Sequence, residues 1–162
     1  MSIFVCLMFG IFTFYRQPFL DPSQLKLCQL MEENYDTILS EYEALVADQD
    51  GRERFQSVTS LNYESGWKTL VLFENGHRIP KFPYHLCPTT TRILETVPIG
   101  GRIAGFNRQQ PQSGIPLHSD GNNMWLTCQM GLYVPKGTYI IFSSLLFVFF
   151  ACDKIIWIMK PE

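Results

Sequence analysis

A mainly β domain with flanking helices is the fold class that this sequence predicts, and three stretches predict it. Behind Asp21-Pro22, apolar residues recur at the spacing of one helix face. The stretch WKTLVLFENGHRI, opening at Trp67, holds two β-rich pieces on either side of Asn75-Gly76, a strong hairpin signal. The stretch MWLTCQMGLYVP then alternates side-chain character with the period of two that a strand imposes.

Taken in order, the chain begins with SIFVCLMFGIFTFY, from Ser2 to Tyr15, which carries no charge and precedes Arg16. It is shorter than the roughly 20 residues of a membrane-spanning helix and lacks basic residues ahead of it, so signal peptide, truncated anchor and buried strand all stay open. Membrane association through this N-terminal segment is one expectation, and a cytoplasmic location is the other. Asp21 is expected to cap a helix with Pro22 at its first position. Leu27, Leu30, Met31, Tyr35, Ile38, Leu39, Tyr42 and Leu45 then form one apolar stripe up to a break at Asp48-Gln49-Asp50-Gly51. This single amphipathic helix is expected to pack on the outside of a sheet. Glu32, Glu33, Asp36, Glu41 and Glu43 fall off the stripe and read as a solvated face rather than a metal cluster.

After the Trp67 hairpin, Pro88 opens a short helix carrying Ile93, Leu94 and Val97. Gly100-Gly101 leads into the strand RIAGFNRQ, then a turn at PQSG. In the following strand Leu126, Cys128, Met130, Leu132 and Val134 share one face, while Trp125, Thr127, Gln129 and Tyr133 share the other. A polar face of that kind is what a barrel interior with a binding site presents. The tail from Thr138 to Cys152, TYIIFSSLLFVFFAC, is nearly as apolar as the N-terminus; a membrane span continued through it would bury Asp153 and Lys154. As a strand pair it is expected to lack turn residues.

Composition removes some functions. With 162 residues, 46% of them hydrophobic, the chain can pack a sizeable core. A net charge of -2 and the absence of a basic stripe exclude nucleic acid as a partner. The five cysteines form no CxxC pair, which argues against a zinc knuckle or a dense disulfide framework and fits a reduced, intracellular setting.

The stretch GIPLHSDGNN, from Gly114 to Asn123, puts His118 two residues before Asp120. On an extended strand the two side chains would share a face and could hold a metal ion; the other reading is a polar loop. Trp67 reads as a core or pocket-wall aromatic, and Gln129 as a residue that satisfies neighbouring backbone.

The run from Arg102 to Lys136, RIAGFNRQQPQSGIPLHSDGNNMWLTCQMGLYVPK, resembles the aspartyl/asparaginyl β-hydroxylase family: a polar strand residue, a Pro/Gly turn, a histidine, an Asn at 123, and a closing G-L-x-V-P at Gly131–Pro135. More loosely, the resemblance covers residues 17–137, between an apolar segment at 1–16 and an apolar tail at 138–162. It implies a double-stranded β-helix, the jelly-roll or cupin-like fold, that uses Fe(II), 2-oxoglutarate as cosubstrate and ascorbate as an accessory to hydroxylate aspartyl or asparaginyl side chains of a protein or peptide. It implies His118 and Asp120 as metal ligands, Asn107 and Gln129 as cosubstrate-binding residues, and Trp67, Trp125 and Thr127 as pocket wall, with no residue assigned as a catalytic acid or base. The chain also departs from the pattern. Asn107 stands where a hydroxyl-bearing residue is usual, Asp120 where the familiar animal members have glycine, and Thr127 and Gln129 where they have arginine and histidine. Beyond Lys136 the chain has no histidine and no arginine, although the family continues with a second metal histidine and a cosubstrate-binding arginine. The resemblance therefore implies an incomplete barrel with a truncated or aberrant C-terminal end. A hydroxylase, a non-catalytic jelly-roll binding module and a membrane-associated fragment are the three functional classes it leaves.

Overall fold

The computed structural model describes residues 2–10, 21–58, 64–96, 103–118, 125–142, 145–150 and 156–159. Its centre is an antiparallel six-stranded sheet. In chain order the strands are β1 (Ser2–Gly10), β2 (Trp67–Glu74), β3 (His77–Arg78), β4 (Ile103–Gln109), β5 (Trp125–Tyr133), β6 (Tyr139–Phe142), β7 (Leu145–Phe150) and β8 (Ile156–Met159). The main sheet runs β3-β2-β4-β1-β5-β8, and β6 pairs with β7 in a separate hairpin. The sheet and its flanking helices agree with the expected mainly β class.

The N-terminal apolar stretch supplies a central strand. Phe4 of β1 pairs with Asn107 on one side and Gly131 on the other, and Cys6 pairs with Gly105 and Gln129. Among the described residues no helix is long and apolar enough to cross a membrane. In the tail, Phe142 pairs with Leu145, so a strand pair does form there, and residues 143–144 lie outside the described residues. Strand β8 adds to the sheet edge through Cys128↔Ile158 and Gln129↔Trp157.

The single predicted helix is in fact two behind a 3-10 turn, and it ends at the predicted break at Asp48, after which a third short helix follows. Asp21 caps a 3-10 turn at Pro22–Gln24, its carboxylate accepting from Ser23 N at 3.0 Å, and Leu25 is extended. Then follow α1 (Lys26–Glu33), α2 (Tyr35–Ala47) and α3 (Gln49–Glu53). At the break, where Asn34 has non-helical φ and ψ of -109° and 18°, the Leu30 carbonyl accepts from both the Asn34 backbone N–H at 3.2 Å and its side-chain Nδ2 at 2.8 Å. Asp48 starts the last piece by accepting from Gly51 N at 2.8 Å.

These helices cover one face of the sheet, as their stripe predicts. Leu27, Cys28, Met31, Tyr35, Ile38, Tyr42 and Leu45 are buried with Leu70, Leu72, Phe106, Cys128, Met130 and Leu132. Tyr42 meets Phe106 at a ring separation of 5.4 Å, and the Tyr35 hydroxyl donates to the Leu132 carbonyl at 2.8 Å. Burying a large aliphatic or aromatic side chain of this kind contributes about 1.5–3 kcal/mol, so the stripe is the main force holding helix to sheet.

Two local predictions hold. Asn75 and Gly76 have φ of 47° and 81° and join β2 to β3 in a two-residue turn, with Glu74↔His77 as the closing pair. Pro88 is the first residue of α4 (Pro88–Glu95), which buries Ile93 and Leu94; Val97 lies outside the described residues. Glu41 departs from its expected place. Although Glu32, Glu33, Asp36 and Glu43 are exposed, Glu41 is buried and caps α4, accepting from Thr89 N at 2.7 Å, Thr90 N at 2.8 Å and Thr90 Oγ1 at 2.6 Å. Placing an anion on the unsatisfied N–H groups of a helix start recovers the cost of burying it.

Candidate functional site

The face of the sheet turned away from the helices gathers polar side chains. Residues on a strand alternate sides, and directly paired residues on neighbouring strands share one. With Phe106 and Cys128 directed to the helices, Asn107 on β4 and Thr127 and Gln129 on β5 belong to the opposite face, as does Thr69, paired with Asn107, on β2. Thr69, Asn107 and Thr127 are almost wholly buried, at 4%, 3% and 6% exposure. Polar groups this deep are kept only where they have partners. Thr69 Oγ1 donates to Asn107 Oδ1 at 2.7 Å, which fixes the orientation of the amide and directs its NH2 away from Thr69. Thr69 was not singled out in the sequence, although its two-residue spacing from Trp67 marks it as sharing that face.

Space is also kept on this face by a glycine. A Cβ on Gly105, two residues before Asn107, would sit 2.1 Å from the Leu70 carbonyl oxygen, so only glycine permits the close approach of β4 to β2 at the irregularity between Val71 and Phe73.

Trp67 is half-buried at the start of β2 and pairs with Gln109. Gln109 Nε2 donates to Ser65 O at 3.4 Å and to Ser113 Oγ at 3.3 Å, while Gln110 N donates to Gly66 O at 3.2 Å. These bonds hold the start of the loop after β4 against the start of β2. The loop then runs outward to His118.

His118 stands in this exposed loop, not on a strand, so the expected strand geometry with Asp120 does not apply to it. Pro at 111 and 116 and Gly at 114 explain why strand pairing stops. The imidazole Nδ1 lies 2.8 Å from the Pro116 carbonyl oxygen. A carbonyl only accepts, so Nδ1 donates in this contact. Asp120 and Asn123 lie outside the described residues, as does the side chain of Trp125. Among the described residues no group of three His, Cys, Asp or Glu side chains could hold a metal ion.

Thus the fold brings Asn107, Thr127 and Gln129 to one face, with Trp67 at its margin, and sets His118 on the loop that leaves it. Strand β1 separates the columns of Asn107 and Gln129, which at about 4.8 Å per strand lie roughly 10 Å apart, and a two-residue offset along the strands puts the two residues about 12 Å from each other. They do not touch, so a ligand contacting both would have to bridge β1.

Comparison with known proteins gives these positions a context. Residues 32–145 match the model of the family described as aspartyl/asparaginyl beta-hydroxylase. The match begins within α1 and ends at the first residue of β7. The chain is also similar to aspartate beta-hydroxylase domain-containing protein 2 of Xenopus tropicalis, 27% identical over an alignment 128 positions long that covers 70% of this chain and 32% of the relative. The human protein of the same name is 25% identical over the same shares. The chain therefore spans about a third of the length of these curated relatives. No solved structure gives a significant match.

Proposed function

Because this chain belongs to the aspartyl/asparaginyl β-hydroxylase family, we propose that the polar sheet face is the cosubstrate wall of a 2-oxoglutarate- and Fe(II)-dependent dioxygenase. Its substrates would be aspartyl or asparaginyl side chains of a protein or peptide. The observation that carries the reading is the buried Thr69–Asn107 pair, because a deep, oriented amide on this sheet face is suited to a polar small molecule. In this reading the sheet is one wall of a jelly roll, Asn107 and Gln129 contact 2-oxoglutarate, and Trp67, Trp125 and Thr127 line the pocket.

The residues present do not fit a complete iron site. The general chemistry of non-haem Fe(II) oxygenase sites sets two imidazoles and a carboxylate on one face of the metal, and the family supplies at least the two imidazoles. His118 can supply one imidazole and Asp120 a carboxylate by sequence position, and among the described residues no group of three His, Cys, Asp or Glu side chains could hold a metal ion. No step through iron is derived for this chain. A carboxylate ligand also lacks an arginine after Lys136, a charge-assisted contact whose net worth is about 1.5–3 kcal/mol.

The test is cosubstrate turnover. The purified chain, given Fe(II), ascorbate and 2-oxoglutarate, is expected to form little or no succinate. A version whose tail after Lys136 is replaced by family-like strands carrying His and Arg is expected to regain turnover that His118→Ala abolishes. Robust succinate from the unaltered chain would show that turnover needs neither added donor. A repaired chain that folds without turnover would favour the second reading, a non-catalytic jelly-roll binding module, which Thr127 and Gln129 in place of arginine and histidine support.

A further inference from the structure

We infer that Cys28 and Cys128 form a redox-convertible pair whose oxidation locks helix α1 to strand β5 through a disulfide. The two residues lie 100 apart in sequence, yet their Sγ atoms are 3.7 Å apart in the core, with 1% and 0% exposure. A disulfide holds its sulfurs at about 2.05 Å, so each would move by only about 0.8 Å, within reach of a side-chain rotation. Cys28, Cys87 and Cys128 are all present as thiols. Cys87 faces Thr91 Oγ1 at 3.7 Å and not another sulfur, so of these three only Cys28 and Cys128 are placed to join.

Burial sets the order of events. Helix α1 is eight residues long, below the roughly 12–15 at which a helix persists alone, so it stays in place by packing and can open as a unit. Opening admits a small oxidant; closing returns the two sulfurs to contact. With a hydroperoxide, the Cys28 thiolate attacks the O–O bond, which breaks as the S–O bond of a sulfenic acid forms and hydroxide leaves to be protonated. Cys128 sulfur then attacks Cys28 sulfur; the S–S bond forms, the S–O bond breaks, and the Cys128 proton departs with hydroxide as water. Two electrons pass from sulfur to the peroxide oxygens, and two thiols with one hydrogen peroxide give one disulfide and two waters. The hydrogen bond with Cys128 supports Cys28 as the attacking group, since it holds that thiol below its ordinary value against the effect of burial.

The consequence reaches the polar face. Cys128 sits between Thr127 and Gln129, so a cross-link to α1 fixes the stretch of β5 that carries both. The full chain, exposed to hydrogen peroxide and then alkylated in denaturant, is expected to lose the alkylation of Cys28 and Cys128 together while Cys87 stays reactive. Peptide mapping without reductant should yield a Cys28–Cys128 link, and dithiothreitol should restore both thiols. The oxidised chain should unfold at higher urea than the reduced chain, and Cys28→Ser should abolish both the link and the shift. Overoxidation to sulfinic acid without a link, continued alkylation of both residues, cross-links to Cys6, Cys87 or Cys152, or a lowered urea midpoint would each overturn the proposal. If Cys28→Ser does not fold, the map of the unaltered chain decides.

Discussion

Glu41 joins α2 to the start of α4 with one carboxylate and three donors, and its replacement separates charge from shape. Glu41→Gln keeps the volume and some of the bonds and should cost about 1–2 kcal/mol in urea unfolding; Glu41→Ala, which leaves buried donors unanswered, should cost about 3 kcal/mol or more. A smaller loss for Ala than for Gln would contradict the capping role. Cys87 gives a pH signature. Burial pushes its thiol from 9.0 up to about 11, with the Thr91 hydrogen bond opposing the rise. Folding favours the protonated form, so this contribution to stability is complete below pH 9.0 and is lost as pH rises through about 11. Urea midpoints measured across that window should fall less for Cys87→Ala than for the unaltered chain. Tyr42 and Tyr84, whose burial raises their phenols as well, act in the same direction and supply the remaining alkaline loss. At this scale the sequence concealed the most: that Glu41 is inside while Glu43 is outside depends on where α4 docks, which no helical periodicity encodes.

Strands and turns were more legible than helix breaks. Alternation in LTCQM placed Cys128 and Met130 in the core and Thr127 on the other face, and Asn75-Gly76 announced its turn because few residues accept positive φ at both positions. Gly76→Ala is therefore expected to cost about 1 kcal/mol, read as a lower urea midpoint with an unchanged slope; no loss would mean the hairpin adopts another turn. The division between α1 and α2 is not legible because the apolar stripe runs straight through Asn34, a residue whose side chain bonds the backbone of the preceding turn and whose own backbone leaves the helix. His118 falls outside strand structure for a related reason: the turn expected at PQSG ends at Gly114, whereas Pro116 beyond it keeps the whole stretch up to His118 unpaired.

For the whole molecule, the mainly β class followed from local patterns, but the sheet order did not, since pairing partners are set by long-range fit. The insertion of Ser2–Gly10 between β4 and β5 is the clearest case: the same apolar run is compatible with an anchor or a strand until its partners are known. Deleting residues 2–10 removes the pairing that joins β4 to β5, so the shortened chain should lose its cooperative unfolding transition and collect in the insoluble fraction; a soluble chain with an unchanged urea transition would show the strand to be dispensable. That position also imposes a schedule on synthesis. Ser2–Gly10 leaves the ribosome before either of its partners exists, and at about 5–20 residues per second the wait for Ile103–Gln109 lasts roughly 5–20 s. Throughout that interval an uncharged strand has both edges open to other chains, so the yield of folded protein is set by how well the nascent chain is shielded, and slower translation should lower it unless a chaperone holds the segment.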